Sequence, residues 1–375
     1  MKSFNAAQNI DDMRLLARQR LPRGMYEFIA RGSEDEIGLQ HNRTVLDSIK
    51  IKPRVMVDVA NRSVGTALLG RAQAMPIAVA PTGAAGLLWY HGESALARAA
   101  SAMGIPYCLA MSSITPLETV RRDTDGNLWL QLYLSPDPEV NRAMIDRARH
   151  LQFDALIVTV DTVVSPNREY NWHNGFNLPI RVNRRNALDL ATHPRWTLGV
   201  IGRYLLNRQM PRLEPIRRDE SADWSAIQRV RDSWSGPLVI KRIGCIEDAM
   251  AALHTGADAI VLSNHGARNL DSAPSPMTLL PHVAQSLAGR LPIWVDSGFM
   301  RGSDVFKALA FGASAVLAGR AALYGLAAAG EVGALRSLAL LREELDRCMA
   351  YAGVRNIAEI GPQHLHCAAS LTPIA

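Results

Sequence analysis

A closed (β/α)8 barrel of the TIM type is the fold this sequence predicts. From residue 75 onward, short apolar or β-branched runs alternate with amphipathic stretches of about three turns, the pattern of repeated βα units around a parallel sheet. The runs number eight, and a polar residue stands at or just after nearly every one.

The expected strands are Pro76 to Ala80, Tyr107 to Ala110, Leu128 to Leu132, Ala155 to Val160, Pro237 to Lys241, Ala259 to Leu262, Pro292 to Val295 and Ala315 to Leu317. Between them, Glu93 to Met103 has helical apolar spacing, and Ser303 to Phe311 is expected to be a helix entered through Gly302 with a serine cap. An open doubly wound sheet would place GxGxxG after its first strand; the chain there reads APTGAAG. The chain is read as one domain, 1–375. Residues 1–74 form a helical extension (DDMRLLARQRL, then RGMYEFIARG) that closes one end or acts as a lid, 75–330 the barrel, and 331–375 a C-terminal helix and tail. Residues 177–223 interrupt the unit after the fourth strand, far beyond the 2–6 residues usual for such a loop.

The strand ends point to chemistry. Thr82, Tyr133, Asp161, Lys241, His265, Asp296 and Arg320 follow successive strands, where a barrel gathers its reactive groups. Any one of them is ordinarily a loop residue that caps a helix; seven together weaken that reading. In SNHGARNLD, His265 is suited to take a proton near neutral pH, and Arg268 to grip a carboxylate with two hydrogen bonds. A lone histidine is more often structural. Asp161, ending ALIVTVD, is placed to orient His265, whereas Arg168 alone reads as a solvated loop arginine. Lys241 ends the apolar run PLVIK, where a buried ammonium requires an anionic partner. VDSGFMRGSD and LAGRAALYG end the last two strands, the usual barrel position for a phosphate.

Composition narrows the classes. Nine arginines between Arg181 and Arg218, against Asp189 and Glu214, exceed the net charge of the whole chain, +6. The basicity is therefore local and argues against a nucleic-acid surface. Cys108, Cys245, Cys348 and Cys367 form no CxxC pair, so neither a metal site nor a disulfide framework is expected. The N-terminus lacks a signal-peptide core and no apolar run is long enough to span a bilayer. A cytoplasmic chain, at most peripheral to the inner face of a membrane, is expected.

Together these segments resemble the FMN-dependent 2-hydroxy-acid oxidases and dehydrogenases, a family that includes glycolate oxidase, lactate dehydrogenases and mandelate dehydrogenase. RLPRGMYEFIARGSEDE, MPIAVAPTGAAGLLWYHGE, LWLQLY, LIVTVDTVV, LVIK, SNHGARNLD and RGSDVFKALAFGASAVLAGRAALYGLAA carry the likeness over nearly the whole chain. HPRWTLG and IWVDSGF bring it nearest to the mandelate dehydrogenase branch.

The resemblance implies oxidation of an (S)-2-hydroxy acid with an aromatic or apolar side chain, with FMN as cofactor. It makes His265 the base, oriented by Asp161, and Lys241 the group that stabilises reduced flavin. Arg168, Arg268, Tyr133 and the position of Phe28 would meet the substrate. Ala80, Pro81, Thr82, Gly83, Gln131, Thr159, Lys241, Ser263, Asp296, Ser297, Gly298, Gly319 and Arg320 would hold FMN. It further implies a homotetramer, a second oxidant (quinone, another carrier or O2) and, through residues 177–218, a membrane contact.

Four positions depart from the family pattern. Phe28 stands for a tyrosine that helps bind the carboxylate, Ala110 for a serine at the flavin, and Asn171 for an aspartate. Met300 replaces an arginine at the phosphate, leaving Arg301 and Arg320 as substitutes. Phe28 thus raises a modified acid, such as an ester, amide or larger acyl group, as an alternative substrate. Other readings are a flavin-free isomerase or aldolase in which Lys241 forms a Schiff base, and a binding protein.

Overall fold

The computed structural model describes residues 4–176, 183, 186–210 and 217–366. Eight parallel strands close into a barrel: β1 Ile77–Val79, β2 Tyr107–Ala110, β3 Leu128–Leu132, β4 Ala155–Thr159, β5 Leu238–Ile243, β6 Ala259–Leu262, β7 Ile293–Val295 and β8 Ala315–Ala318. Each expected strand is present, with ends that differ by at most two residues. The strands are continuous apolar runs because both faces are covered, by helices outside and by side chains within. Inside, Trp129 and Trp294 stack with ring centroids 5.0 Å apart. Ala78, Cys108, Ala155, Ala259 and Ala315 fill the space left around these rings, the large-and-small packing a closed barrel requires.

One irregularity matters for function. Between Lys241 and Ile243 the register of β5 against β6 shifts, and Arg242 takes φ 90°. A bulge of this kind re-aims side chains at the strand end.

Residues 4–74 cover both ends of the barrel. Helix α1, Ile10–Arg20, is capped by Asn9 Oδ1, which accepts from Asp12 N at 2.8 Å; acids in its first turn and arginines in its last complement the helix dipole. Ile10, Met13 and Ala17 share one face and pack on the terminal helix Arg320–Ala352. Helices α2, Arg23–Ala30, and α3, Ile37–Ser48, reach the carboxyl ends of the strands, where Asn42 of α3 pairs with Asn264 through two amide hydrogen bonds of 3.0 and 2.8 Å. The hairpin Thr66–Leu68 with Arg71–Gln73 closes the opposite end and places Leu68 in the barrel interior.

The terminal helix breaks at Ala329 and Gly330, beside the expected boundary at 330. One capping expectation is corrected. The helix Gly302–Ala310 has Arg301, not a serine, at its cap, because Asp304 accepts from both Met300 N and Arg301 N at 3.0 Å.

The described part of the insertion is helical: Ala187–Thr192, Pro194–Trp196, a π-helical turn Thr197–Gly202, and Arg203–Leu206. Trp196 and Tyr204 fix it to the β1 loop, donating to the carbonyls of Leu87 at 2.7 Å and Gly86 at 3.3 Å. Of the basic run, 177–182, 184–185 and 211–216 lie outside the described residues, as does Cys367.

Candidate active site

His265, Gly266 and Ala267 follow β6 with φ of 56, 66 and 56°, three left-handed residues in succession. Such backbone persists only where its surroundings over-determine it. Ser297 Oγ accepts from Asn264 N at 3.3 Å and Gly266 N at 3.0 Å, Ser263 Oγ accepts from His265 N at 3.0 Å, and Ser33 N donates to Ala267 O at 2.8 Å. The turn aims His265 at Asp161, whose Oδ1 and Oδ2 lie 3.1 and 3.2 Å from Nδ1.

Asp161 is ionised. Burial favours its neutral form, but His265, Arg242 and Lys241 outweigh this and hold the carboxyl well below the usual carboxylate range. A carboxylate only accepts, so the proton sits on His265 Nδ1 and Nε2 carries the lone pair. Burial lowers the His265 pKa; Asp161 opposes that shift without cancelling it. The imidazole is thereby neutral at pH 7 and able to take a proton.

Two further ligands of Asp161 escaped sequence reasoning. Arg242 Nε donates at 2.9 Å and Asn269 Nδ2 at 2.7 Å, both to Oδ2. Strand alternation points Arg242 away from Lys241; the bulge brings both to the site. Asn269 had a signal, its helical spacing from His265.

Lys241 meets the expected anion. It is ion-paired with Asp296 and donates to Ser263 Oγ at 3.0 Å, with 3% of its surface exposed. Asp296, which burial alone would push up, is held down by Lys241 and by hydrogen bonds from Ser263 and Ser297. Held in this ion pair, Lys241 suits a fixed positive charge better than a Schiff-base nucleophile, and the aldolase reading is not favoured. The same contacts place Ser263, Asp296 and Ser297 in one network with His265.

Arg268 and Arg168 come together: Arg168 Nε donates to Arg268 O at 3.3 Å. Burial, and then the neighbouring Arg268 charge, lower the Arg168 pKa to about 9, so an anion is the ligand this pair favours. Arg268 Nη1 donates to the carbonyls of Phe28 at 2.6 Å and Arg31 at 3.0 Å, and its guanidinium lies 5.2 Å from the centre of the Phe28 ring. Phe28 packs edge-on against Phe176. Tyr133 is partly buried beside Asp161, and its phenol pKa is raised, first by desolvation.

The residues expected to hold FMN fit that group at the carboxyl ends of the first four strands. Thr82 Oγ1 and Gln131 Nε2 are buried with no partner among the described residues, beside buried Thr159, Ala80 and Ala110. Pro81 and Gly83 continue the β1 end, where a Cβ on Gly83 would stand 2.4 Å from Ser112 Oγ. At the phosphate end, Gly298 has φ 93° and Gly319 caps the terminal helix, a ready anion site.

The arginines there differ from expectation. Arg301 is ion-paired with Glu344 (3.0 and 2.8 Å). Arg320 donates to the carbonyls of Ile29, Arg31 and Gly266 at 2.9 to 3.1 Å, which ties α2 to the site. Met300 packs against the core, and Asn171 Oδ1 is buried without a partner among the described residues. Among the described residues no cluster of His, Cys, Asp or Glu has the form of a metal site.

A barrel whose carboxyl end joins a carboxylate-bound histidine, paired arginines and a fixed lysine defines a flavin-dependent dehydrogenase. The chain belongs to the FMN-dependent dehydrogenase family, whose pattern matches residues 17–367. It is 41% identical over 371 residues to the (S)-mandelate dehydrogenase of Pseudomonas putida, covering 95% of this chain and 93% of that one. It is 36% identical to glycolate oxidase 3 of Oryza sativa subsp. indica, over 95% of each chain. The crystal structure of a monotopic membrane protein, (S)-mandelate dehydrogenase, superposes with a TM-score of 0.92 at 39% identity, covering 97% of this chain and 100% of that one.

Proposed function

We propose that this enzyme oxidises an (S)-2-hydroxy acid with an aromatic or apolar side chain, of the mandelate kind, to the 2-oxo acid. The observation that carries the proposal is His265, held by Asp161 through Nδ1, beside the paired guanidiniums of Arg168 and Arg268. The two arginines and the Tyr133 hydroxyl bind and orient the carboxylate and hydroxyl. His265 Nε2 takes the proton, and Asp161, backed by Arg242 and Asn269, stabilises the imidazolium that forms.

FMN, when bound, would supply the acceptor for the electron pair that leaves the α-carbon. Ala80, Pro81, Thr82, Gly83, Gln131, Thr159, Ser263, Asp296, Ser297, Gly298, Gly319 and Arg320 would hold it, and the Lys241 ammonium would supply positive charge. A quinone, another carrier or O2 would serve as the second oxidant. Two adjacent guanidiniums favour a free carboxylate over an ester or amide. Comparing mandelate with its methyl ester tests this: turnover that depends on the free acid supports it, and equal turnover refutes it.

The insertion supports a peripheral membrane contact. No helix among the described residues is long and apolar enough to cross a bilayer. With Trp196, Val200 and Tyr204 turned inward, Leu188, Leu198, Leu205, Leu206 and Met210 are exposed on the insertion, next to its arginines. Exposed apolar side chains beside cations suit a lipid interface. Replacing Leu198 and Leu206 with aspartate should release the protein from anionic vesicles; undiminished sedimentation would remove the insertion as the anchor.

A further inference from the structure

A cavity of about 210 Å³ opens beside Tyr133 and Thr159, between the ends of β3 and β4 and the helix Trp224–Ser233. Leu134, Val160, Val163, Trp224 and Ile227 give it apolar walls. A cavity of about 150 Å³ lined by apolar side chains holds benzene, so there is room for one substituted ring.

Its charged lining is Arg218 with three acids, Asp219, Asp223 and Asp248. Asp219 Oδ1 accepts from Ser221 N at 3.0 Å and Ser221 Oγ at 2.6 Å, and Asp223 Oδ1 caps the helix by accepting from Ser225 N at 3.0 Å and Ala226 N at 3.3 Å. Asp248 stands in the first turn of the helix Ile246–His254, where the helix dipole favours its charge, and the carboxylates of Asp219 and Asp223 are engaged in their own turns. Arg218 is not: among the described residues it forms no ion pair, and its buried Nε has no acceptor. Its contacts are Ser165 Oγ, 3.5 Å from Nη1, and the face of the Tyr133 ring, 5.7 Å from the guanidinium carbon. The segment is fixed in place, since Asp219 N donates to Leu134 O at 2.9 Å.

We infer that this cavity receives the side chain of the hydroxy acid and that Arg218 binds a carboxylate at its far end, selecting aryl hydroxy acids that carry a second acid group on the ring. A half-buried guanidinium without an ion pair among the described residues, on a slot with apolar walls that touches Tyr133, suits an anion at the end of an apolar body. The inference rests on the hydroxy-acid reading above and adds a specificity that the family does not define.

The test is direct binding of product-like 2-oxo acids by calorimetry: benzoylformate, 4-methylbenzoylformate and 4-carboxybenzoylformate. The enzyme should bind the 4-carboxy compound on the order of tenfold or more tighter than the 4-methyl one, the value of one charge-assisted contact. Arg218→Met should remove that preference, and Arg218→Lys should retain part of it. Equal binding of the 4-methyl and 4-carboxy compounds, or a preference that survives in Arg218→Met, overturns the inference alone. If the wild-type protein binds none of the three, the hydroxy-acid reading falls with it. The wild-type comparison decides even if the variants do not fold.

Discussion

His265 and Asp161 face each other across the barrel mouth from the ends of β6 and β4, Nδ1 to Oδ1 at 3.1 Å. Because Asp161 is also gripped by Arg242 and Asn269, its position does not depend on the histidine, and the imidazole is oriented by a carboxylate that is itself fixed.

Asp161→Asn should lower kcat on the order of 10² to 10⁴. It should also move the acid limb of the pH profile. A base works when neutral, so activity rises as pH passes its pKa; Asp161 raises the His265 pKa against burial, and its loss lets that pKa fall. The limb should shift to lower pH. An unchanged limb, or a shift to higher pH, would show that the carboxylate does not act on the base.

Ser297→Ala removes the acceptor shared by the amides of Asn264 and Gly266. Leaving buried donors unsatisfied costs about 1–3 kcal/mol, and here it loosens the left-handed turn that aims His265. Denaturant titration should show that loss together with a fall in kcat. Full stability and full kcat would mean that the turn is held elsewhere.

The barrel was legible because its strands are buried on both faces and appear as apolar runs with a polar residue at nearly every carboxyl end. The hairpin around Leu68 was not, since three-residue strands carry no periodicity. In the site, residue types were readable but long-range partners were not. Ser297 looked like a cofactor ligand, and its side chain braces the His265 turn. Arg301 looked free for a phosphate, yet Glu344, 43 positions later, takes it. Arg242 was hidden because a bulge overrides the alternation that a strand sequence implies.

Phe28→Tyr adds a hydroxyl beside the Arg268 guanidinium. If the side chain points at the carboxylate, KM for a simple 2-hydroxy acid should fall about tenfold with kcat little changed, the mark of uniform binding. A raised KM would indicate that the ring space itself is required, as for a bulkier acid.

Lys241→Met leaves the buried Asp296 carboxylate without its counter-charge, a change that costs about 3–5 kcal/mol. Adding Asp296→Asn should restore much of that stability in denaturant titrations. A double variant no more stable than Lys241→Met would contradict the ion-pair account.

Anaerobic mixing of the FMN-loaded enzyme with (S)-mandelate, followed by visible absorbance, tests the central claim most directly. The account predicts that the flavin bands bleach with the (S) enantiomer and not the (R), and that His265→Gln keeps its colour but bleaches at least about 10²-fold more slowly. A colourless active protein, or a yellow one that no (S)-2-hydroxy acid bleaches, would contradict it.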